Sequence, residues 1–540
     1  MRIAFHTLGC KVNQYETEAM KEAFVSRGAT IVGEDESADV YVVNTCTVTN
    51  IADRKSRQYI RRMKGVNPEA YVVVTGCYAQ VESAEVAALP EVDLVVGNSN
   101  KSRICDIVCG VLAGTITVDK NDKTVVRAGG DIADSDHMVL PRNELTEFED
   151  MGLVVSSESG MTRAYIKIQE GCDRFCAYCL IPFARGPVRS RPLDEILEEA
   201  RMLLDAGYRE LVLTGINTAL YGTEPDFAIN LYDEEGHIYP GCEELVEHVS
   251  AGSASHGTTA NAIAPIELVL ARLNAINRDF RIRLSSLEPT VVDKNDVERI
   301  IRYDKLCHHL HLSAQSGSTH VLGLMNRHYT KDDYIDIVNA IHEYDPYYNI
   351  TTDIIVGFSG ETEEDFQDSI DVTRRAEFGK VHIFRYSKRK GTVGAKLPDE
   401  VSSTVKAERA KLLAAVADDT SRQFIEKNIE HSKACCDNHI GDDRGNCYSD
   451  NPYRVLIEEE VTIGRKKYLT GYTGNYIRVY FERDEQRETM KSASLQEAER
   501  VVSLMNDLDN SSHSNNSLIG NFVQVRLTEP FKDGCLAVII

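Results

Sequence analysis

The run Gly171-Cys172-Asp173-Arg174-Phe175-Cys176-Ala177-Tyr178-Cys179 constrains this chain more than any other feature. Three cysteines stand close together directly behind Tyr165–Gln169, an apolar stretch that reads as a strand. Barrels of alternating strands and helices build their active sites at such strand ends. The spacing C-x3-C-x2-C offers three thiolates, which can hold three irons of a four-iron cubane and leave the fourth open. S-adenosylmethionine can fill that place through its amine and carboxylate. An electron from the cluster can then cleave the sulfonium and release a 5′-deoxyadenosyl radical. The competing reading is structural zinc. That metal usually takes four ligands in two pairs, and no second pair lies nearby.

A second set, Cys10, Cys46 and Cys77, is scattered along the sequence but repeats one position. Each cysteine directly follows a predicted strand: Phe5–Leu8, Val42–Asn44 and Val73–Thr75. In a parallel sheet the carboxyl ends share one edge, and ligands bind in the crevice along it. Three thiols can therefore meet there, with Gly9 and Gly76 letting the backbone approach a bulky inorganic group. The bland alternative is three unrelated buried cysteines. Repetition at three strand ends favours a second cluster.

The rest of the chain supplies the frame. Residues 1–115 alternate strand and helix as an open parallel α/β sheet, and residues 116–160 read as a linker with a strand or two. Residues 161–430 repeat the alternation about six times, which predicts a complete or partial (β/α)6 barrel. Within them, 223–262 look like an insertion without clear period, and Val401–Glu430 reads as a helix. Residues 431–452 read as a second linker. Residues 453–540 predict a small β-barrel module, with an insert at about 484–517. The predicted class is therefore α/β with a C-terminal β-barrel. No apolar run approaches the roughly 18 residues of a membrane helix. The N-terminus turns polar too soon for a signal peptide. The expectation is a cytoplasmic protein without membrane contact.

The net charge of −24 argues against a general nucleic-acid binder. Basic islands nevertheless flank the cysteines. One predicted helix behind Cys46 carries Arg54, Lys55, Arg57, Arg61, Arg62 and Lys64. Arg185, Arg189 and Arg191 follow the first cysteine run, and Lys388, Arg389 and Lys390 follow the last barrel strand. In the β module Arg465, Lys466, Lys467 and Arg478 interleave with Tyr468, Tyr472, Tyr476 and Tyr480. Bases plus aromatics suit RNA loops. The candidate RNA contacts are Arg57, Arg61, Arg62, Arg185, Lys466, Lys467 and Arg478. Other groups read as structural. His308, His309 and His311 suit barrel packing or polar contacts, and Cys105 and Cys109 pack as apolar residues. His431, Cys435, Cys436, His439 and Cys447 fit no standard zinc spacing.

Both cysteine sets, in this order, resemble the radical S-adenosylmethionine methylthiotransferases. The resemblance covers nearly the whole chain, including an RNA-binding module of the TRAM type at the end. Gly9-Cys10-Lys11-Val12-Asn13-Gln14-Tyr15-Glu16, Asn44–Thr49 and Gly171–Arg191 are most similar to the branch acting on threonylcarbamoyladenosine of tRNA. The sibling acting on isopentenyladenosine typically has Met-Asn after its first cysteine, and the ribosomal-protein sibling Pro-Lys-Asn. The resemblance implies two 4Fe-4S clusters, one on Cys172, Cys176 and Cys179 and an auxiliary one on Cys10, Cys46 and Cys77. It implies S-adenosylmethionine as source of both methyl group and radical. The product would be a 2-methylthio group on adenosine 37, 3′ of the anticodon. Gly215, Asn217, Ser285 and Gln315, at barrel strand ends, would bind S-adenosylmethionine. The implied partners are a tRNA anticodon stem-loop and an electron donor such as flavodoxin or ferredoxin, with the enzyme a monomer. A sibling methylthiotransferase and a non-catalytic metal-containing RNA-binding protein stay open as alternatives. The two-cluster reading predicts about eight irons per chain by iron assay, falling to about four when Cys172, Cys176 and Cys179 become Ala.

Overall fold

Strands that are apolar on both faces need cover on both faces, and the first sheet has it. The computed structural model describes residues 1–128, 135–152, 162–252, 263–398, 400–437, 453–482 and 518–540. Strands β1 (Arg2–Thr7), β2 (Thr30–Val32), β3 (Val40–Thr45), β4 (Tyr71–Gly76) and β5 (Leu94–Val95) pair in parallel in the order β2-β1-β3-β4-β5. Every residue of β3 is buried. Alternate residues go to opposite faces: Val40 and Val42 join Phe24 and Ile107 on one side, while Tyr41 and Val43 join Ile60 and Met63 on the other. The strand order reverses between β1 and β3, so a crevice opens at their carboxyl ends.

Strands β6 (Ile116–Val118), β7 (Val125–Ala128) and β8 (Ser135–His137) form a small antiparallel sheet. Val126 and nearby Met138 add to the first core.

The central sheet is a part-barrel in two arcs. Strands β9 (Arg163–Glu170), β10 (Arg189–Ser190), β11 (Glu210–Gly215) and β12 (Arg281–Leu284) pair in the order β10-β9-β11-β12. Strands β13 (Ser286–Leu287), β14 (His309–Leu312), β15 (Asn349–Val356) and β16 (Lys380–Arg385) follow in sequence order. A parallel bridge between Ile282 and Leu306 joins the arcs. Ile166, Leu211, Leu213, Ile282, Leu310 and Ile350 pack with residues of the surrounding helices in one core. The insertion is more ordered than its composition suggests. Its described part contains the helix Glu243–Gly252, and Leu231, Cys242 and Leu245 pack on Leu268 and Ala271.

The helix Ser403–Asp437 runs past Glu430 into the stretch read as a linker, where Ser432 accepts a hydrogen bond from the Leu527 amide at 3.0 Å. Strands β17 (Arg454–Ile463), β18 (Lys466–Thr473), β19 (Arg478–Glu482), β20 (Phe522–Phe531) and β21 (Gly534–Ile539) close into a barrel in the order β17-β18-β19-β21-β20. The insert 484–517 lies outside the described residues. Among the described residues no helix is long and apolar enough to cross a membrane.

A buried ion cluster ties the C-terminal barrel to the central one. Glu210 accepts hydrogen bonds from Arg281 at 2.6 Å and Arg283 at 2.7 Å. The same arginines donate to the carbonyls of Tyr472 at 2.9 Å and Thr473 at 3.3 Å. Burial pushes the Glu210 carboxyl up, but Arg281 and Arg283 outweigh it and hold the group below its usual range. Its ionic contribution is thus complete at neutral pH and is lost only as pH falls through that lowered value. Glu210→Gln leaves the arginines without their counter-charge. It should lower stability by about 3–5 kcal/mol in thermal or denaturant unfolding at neutral pH.

Candidate active site

The three strand ends of the first sheet deliver their cysteines to one place. Cys10 caps the helix Lys11–Val25, Cys46 follows β3, and Cys77 opens the short helix Cys77–Val81. Glycine is required beside two of them. Gly9 has φ 112°, and a Cβ there would lie 3.0 Å from the Cys46 sulfur. Gly76 has φ 97°, and its Cβ would lie 2.3 Å from the Thr45 carbonyl oxygen. Burial pushes the Cys46 thiol up to about 12, with Cys77 and then Cys10 adding to the rise. Enclosure of the Cys10 sulfur by its neighbours likewise raises its thiol, opposed by Arg185, while the residue as a whole is exposed. Thiols that resist ionisation in this way lose their protons on metal binding.

A buried cation reaches this set from the central part-barrel. Arg185 ends the helix Ile181–Arg185 and has no exposed surface. Its Nε lies 3.3 Å from the Cys77 sulfur, and its Nη2 donates to Asn13 Oδ1 at 2.7 Å. Its other contact is the Glu16 carboxylate, which Lys101 also meets. Burial pushes Glu16 up, but Arg185, Lys101 and Lys167 outweigh it and hold the carboxyl well below its usual range. Asn13 in turn donates to the carbonyls of Leu8 at 2.7 Å and Thr45 at 3.0 Å. The loops bearing Cys10 and Cys46 are thereby tied to each other.

The second set sits in the loop behind β9. Phe175, at φ 47°, turns the chain between Cys172 and Cys176. The Ile181 amide points at the Cys179 sulfur at 3.4 Å. Burial pushes Cys172 and Cys179 up to about 12, and neighbouring Cys176 adds to both. Around this loop stand the carboxyl ends of the other strands. Gly215 ends β11 at a register shift against β9. The Asn217 backbone amide donates to Gln169 Oε1 at 3.0 Å, and its side chain donates to Glu288 at 2.7 Å. Glu288 is also paired with Arg327 at 2.6 Å. Gln315 has φ 60° and donates its amide to the Asp353 carbonyl at 2.8 Å. Asn217 Oδ1 and Ser285 Oγ are buried without a hydrogen-bond partner among the described residues. Buried polar atoms are ordinarily satisfied, so this edge fits a polar ligand beside the cysteines. Among the described residues no three Cys, His, Asp or Glu side chains converge on a single-ion site. Ligands at the corners of a cubane stand farther apart than ligands around one ion.

Known proteins share this layout. A family model described as "Uncharacterized protein family UPF0004" matches residues 2–97, and one described as "Radical SAM superfamily" matches residues 166–372. A threonylcarbamoyladenosine tRNA methylthiotransferase of Bacillus subtilis is 35% identical, over 89% of this chain and 90% of its own length. Its namesake from Aquifex aeolicus is 37% identical, over 82% of this chain and 96% of its own length. A tRNA-2-methylthio-N(6)-dimethylallyladenosine synthase of Caldicellulosiruptor saccharolyticus is 33% identical, over 78% and 80%. The chain belongs to the radical S-adenosylmethionine methylthiotransferase family.

Within this methylthiotransferase the basic residues divide by burial. Arg185, expected to meet RNA, faces Cys77 and Glu16 instead of solvent, because a carboxylate inside the sheet needed its charge. Arg189 and Arg191 are likewise buried, against Glu170 and Glu199. Arg389 is buried against Asp53 at 2.7 Å. Arg61 and Arg62 are exposed, the latter paired with Asp35. Arg57 donates to the Tyr78 hydroxyl at 2.7 Å and to Glu85 at 3.0 Å. In the β module Lys466 pairs with Glu482, Lys467 with Glu460 and Arg478 with Glu459, all at the surface.

The residues read as structural sit as follows. Cys105 is buried in the first core, with Cys109 packed against it. His309 and His311 both meet Thr351 Oγ1 at 3.0 Å, and His308 meets Asp345 at 2.6 Å. Cys435 lies 3.4 Å from His431. His439 and Cys447 lie outside the described residues, as does the Cys436 side chain.

Sequence reasoning missed Asn13, Glu16 and Lys101 as site residues. Asn13 and Glu16 carried a signal, being polar groups three apart on the helix face that also bears Met20 and Phe24. Lys101 carried none. Arg185→Met removes the buried cation beside Cys77 and leaves Glu16 under-compensated. If each cysteine triad holds a four-iron cluster, iron should fall from about eight to about four per chain. S-adenosylmethionine cleavage by the barrel cluster should persist.

Proposed function

We propose that this chain adds a 2-methylthio group to N6-threonylcarbamoyladenosine at position 37 of tRNA. The observation that carries the reading is the pair of cysteine triads, with Arg185, on the short helix behind the second, reaching the Cys77 sulfur of the first. The relatives named for that reaction, at 35% and 37% identity, support the substrate. Lys11-Val12-Asn13-Gln14 behind the first cysteine favours this branch over the dimethylallyladenosine one.

On this reading Cys172, Cys176 and Cys179 hold one 4Fe-4S cluster, and Cys10, Cys46 and Cys77 hold a second. When bound, the two clusters and S-adenosylmethionine supply radical, methyl and sulfur chemistry at an aromatic carbon that offers acid–base catalysis no leaving group. The protein's own residues position and compensate. Arg185 offsets negative charge at Cys77, and Lys101 shares the Glu16 carboxylate that Arg185 alone would otherwise carry. Gly215 leaves room at the strand end, while Asn217, Ser285 and Gln315 offer polar contacts to the amino-acid part of S-adenosylmethionine. Arg61, Arg62, Arg57, Lys466, Lys467 and Arg478 remain the candidate phosphate contacts for an anticodon stem-loop. Residues 1–115 form the auxiliary-cluster unit, 161–430 the radical unit and 453–540 the RNA-binding unit. The enzyme works in the cytoplasm as a monomer, reduced by flavodoxin or ferredoxin.

Nucleoside mass spectrometry of tRNA from a deletion strain tests this. The 2-methylthio form of threonylcarbamoyladenosine should disappear and its unthiolated precursor accumulate. Persistence of that form, with loss of a different methylthio product, would reassign the substrate to a sibling branch.

A further inference from the structure

A barrel interior is ordinarily filled by apolar side chains. This part-barrel instead encloses, with the C-terminal β module, a cavity of about 1260 Å³. Its lining includes Lys11, Ser286, His309, His311, Thr351 and Asp353. These side chains make part of the wall polar, while Phe424, Ile425 and Phe531 line another part, and the polar part is suited to a polar group of a ligand.

Lys11 is the residue directly behind Cys10, so it reaches the cavity from beside the auxiliary cysteines. It is half-buried, and among the described residues its ammonium has no carboxylate or hydrogen-bond partner. Lys380 and Lys532 also line the cavity but are exposed to solvent, and the inner cations around Lys11 are matched. Arg283 meets Glu210 at 2.7 Å, Arg163 meets Glu458 at 2.9 Å and His311 meets Asp353 at 3.2 Å. His309 is buried and spends its Nε2 on Thr351 at 3.0 Å, while its Nδ1 has no partner. A cation drawn out of water without a counter-ion is costly unless a ligand anion completes it. Among the described residues Lys11 is therefore the unmatched cation of this cavity that is not exposed to solvent, and it stands beside the cysteines proposed to carry the inserted sulfur.

We propose that Lys11 is a specificity-determining residue that receives the free carboxylate of the substrate's threonylcarbamoyl group. This rests on the substrate reading above. The chemistry separates the branches: threonylcarbamoyl carries a carboxylate, whereas the isopentenyl group is apolar. A site built around an unpaired ammonium discriminates against an analogue that leaves it unpaired. An RNA backbone phosphate is the other anion that could fill the place.

The test uses the cluster-loaded enzyme and anticodon stem-loop RNAs whose modified adenosine carries either the free threonyl carboxylate or its methyl ester. Binding is read by fluorescence anisotropy, and methylthiolation by mass spectrometry as kcat and KM. The unaltered enzyme should prefer the acid by about tenfold or more, as for a hydrogen bond to a charged group. Lys11→Met should lose that preference, chiefly through Kd and KM, with iron content unchanged. Lys11→Arg should largely restore it. Lys11→Gln, which keeps a donor without the charge, carries the same comparison if the methionine variant loses iron. Retention of the acid preference in both neutral variants overturns the proposal. So does an equal loss of acid and ester binding, which assigns Lys11 to a phosphate. Failure of the substrate reading itself looks different: the unaltered enzyme cleaves S-adenosylmethionine yet methylthiolates neither RNA.

Discussion

The contact between Arg185 and Glu16 holds the two halves of the site to one another. Glu16 comes from the first helix and Arg185 from the short helix behind the second cysteine set, and both are buried. Lys101 adds a second cation to the same carboxylate. A buried charge without a partner is strongly destabilising, so the three groups are stable only together. Their agreement sets how the first sheet meets the part-barrel. It thereby sets the distance between two groups of cysteines whose chemistry depends on proximity. Apolar packing could have joined the sheets as firmly, but it is non-directional and would not have aimed a guanidinium at Cys77.

The same device recurs at the other end of the part-barrel. Glu210 gathers Arg281 and Arg283, which extend to the carbonyls of Tyr472 and Thr473 in the C-terminal barrel. Much of the chain's basic content is consumed in this way. Arg185, Arg189, Arg191, Arg283 and Arg389 are all buried against carboxylates or other polar groups. The acidic net charge of −24 is thus compatible with basic side chains at both internal joints. The basic side chains that stay at the surface lie on the helix Asn50–Val66 and on strands β18 and β19 of the β module.

Most strands could be read from their apolar runs, with boundaries shifted by a residue or two. Several elements could not. Thr30–Val32 is too short to show a period, and the helix Glu243–Gly252 sits in a stretch whose composition suggested none. The helix ending at Asp437 passes through the polar stretch behind Glu430 because Ser432 binds the Leu527 amide, a partner 95 residues away. Local composition holds no trace of such a contact. The six cysteines stood out in the sequence because one residue type recurs at equivalent places behind strands. The groups that support them were not. Arg185 looked like a surface base because its neighbours in sequence are bases, and only its partner in the first sheet makes it an interior one.

By itself the sequence determined the element types, their order and the two cysteine sets. These rest on local physics: periodicity, turn residues and the spacing of ligands. The tertiary structure decided which charges are buried and which face water. It also decided that a half-buried lysine beside Cys10 stands unpaired on the wall of a cavity. The reason is that a charge acquires its role from what lies across a fold boundary, at distances the linear chain does not encode.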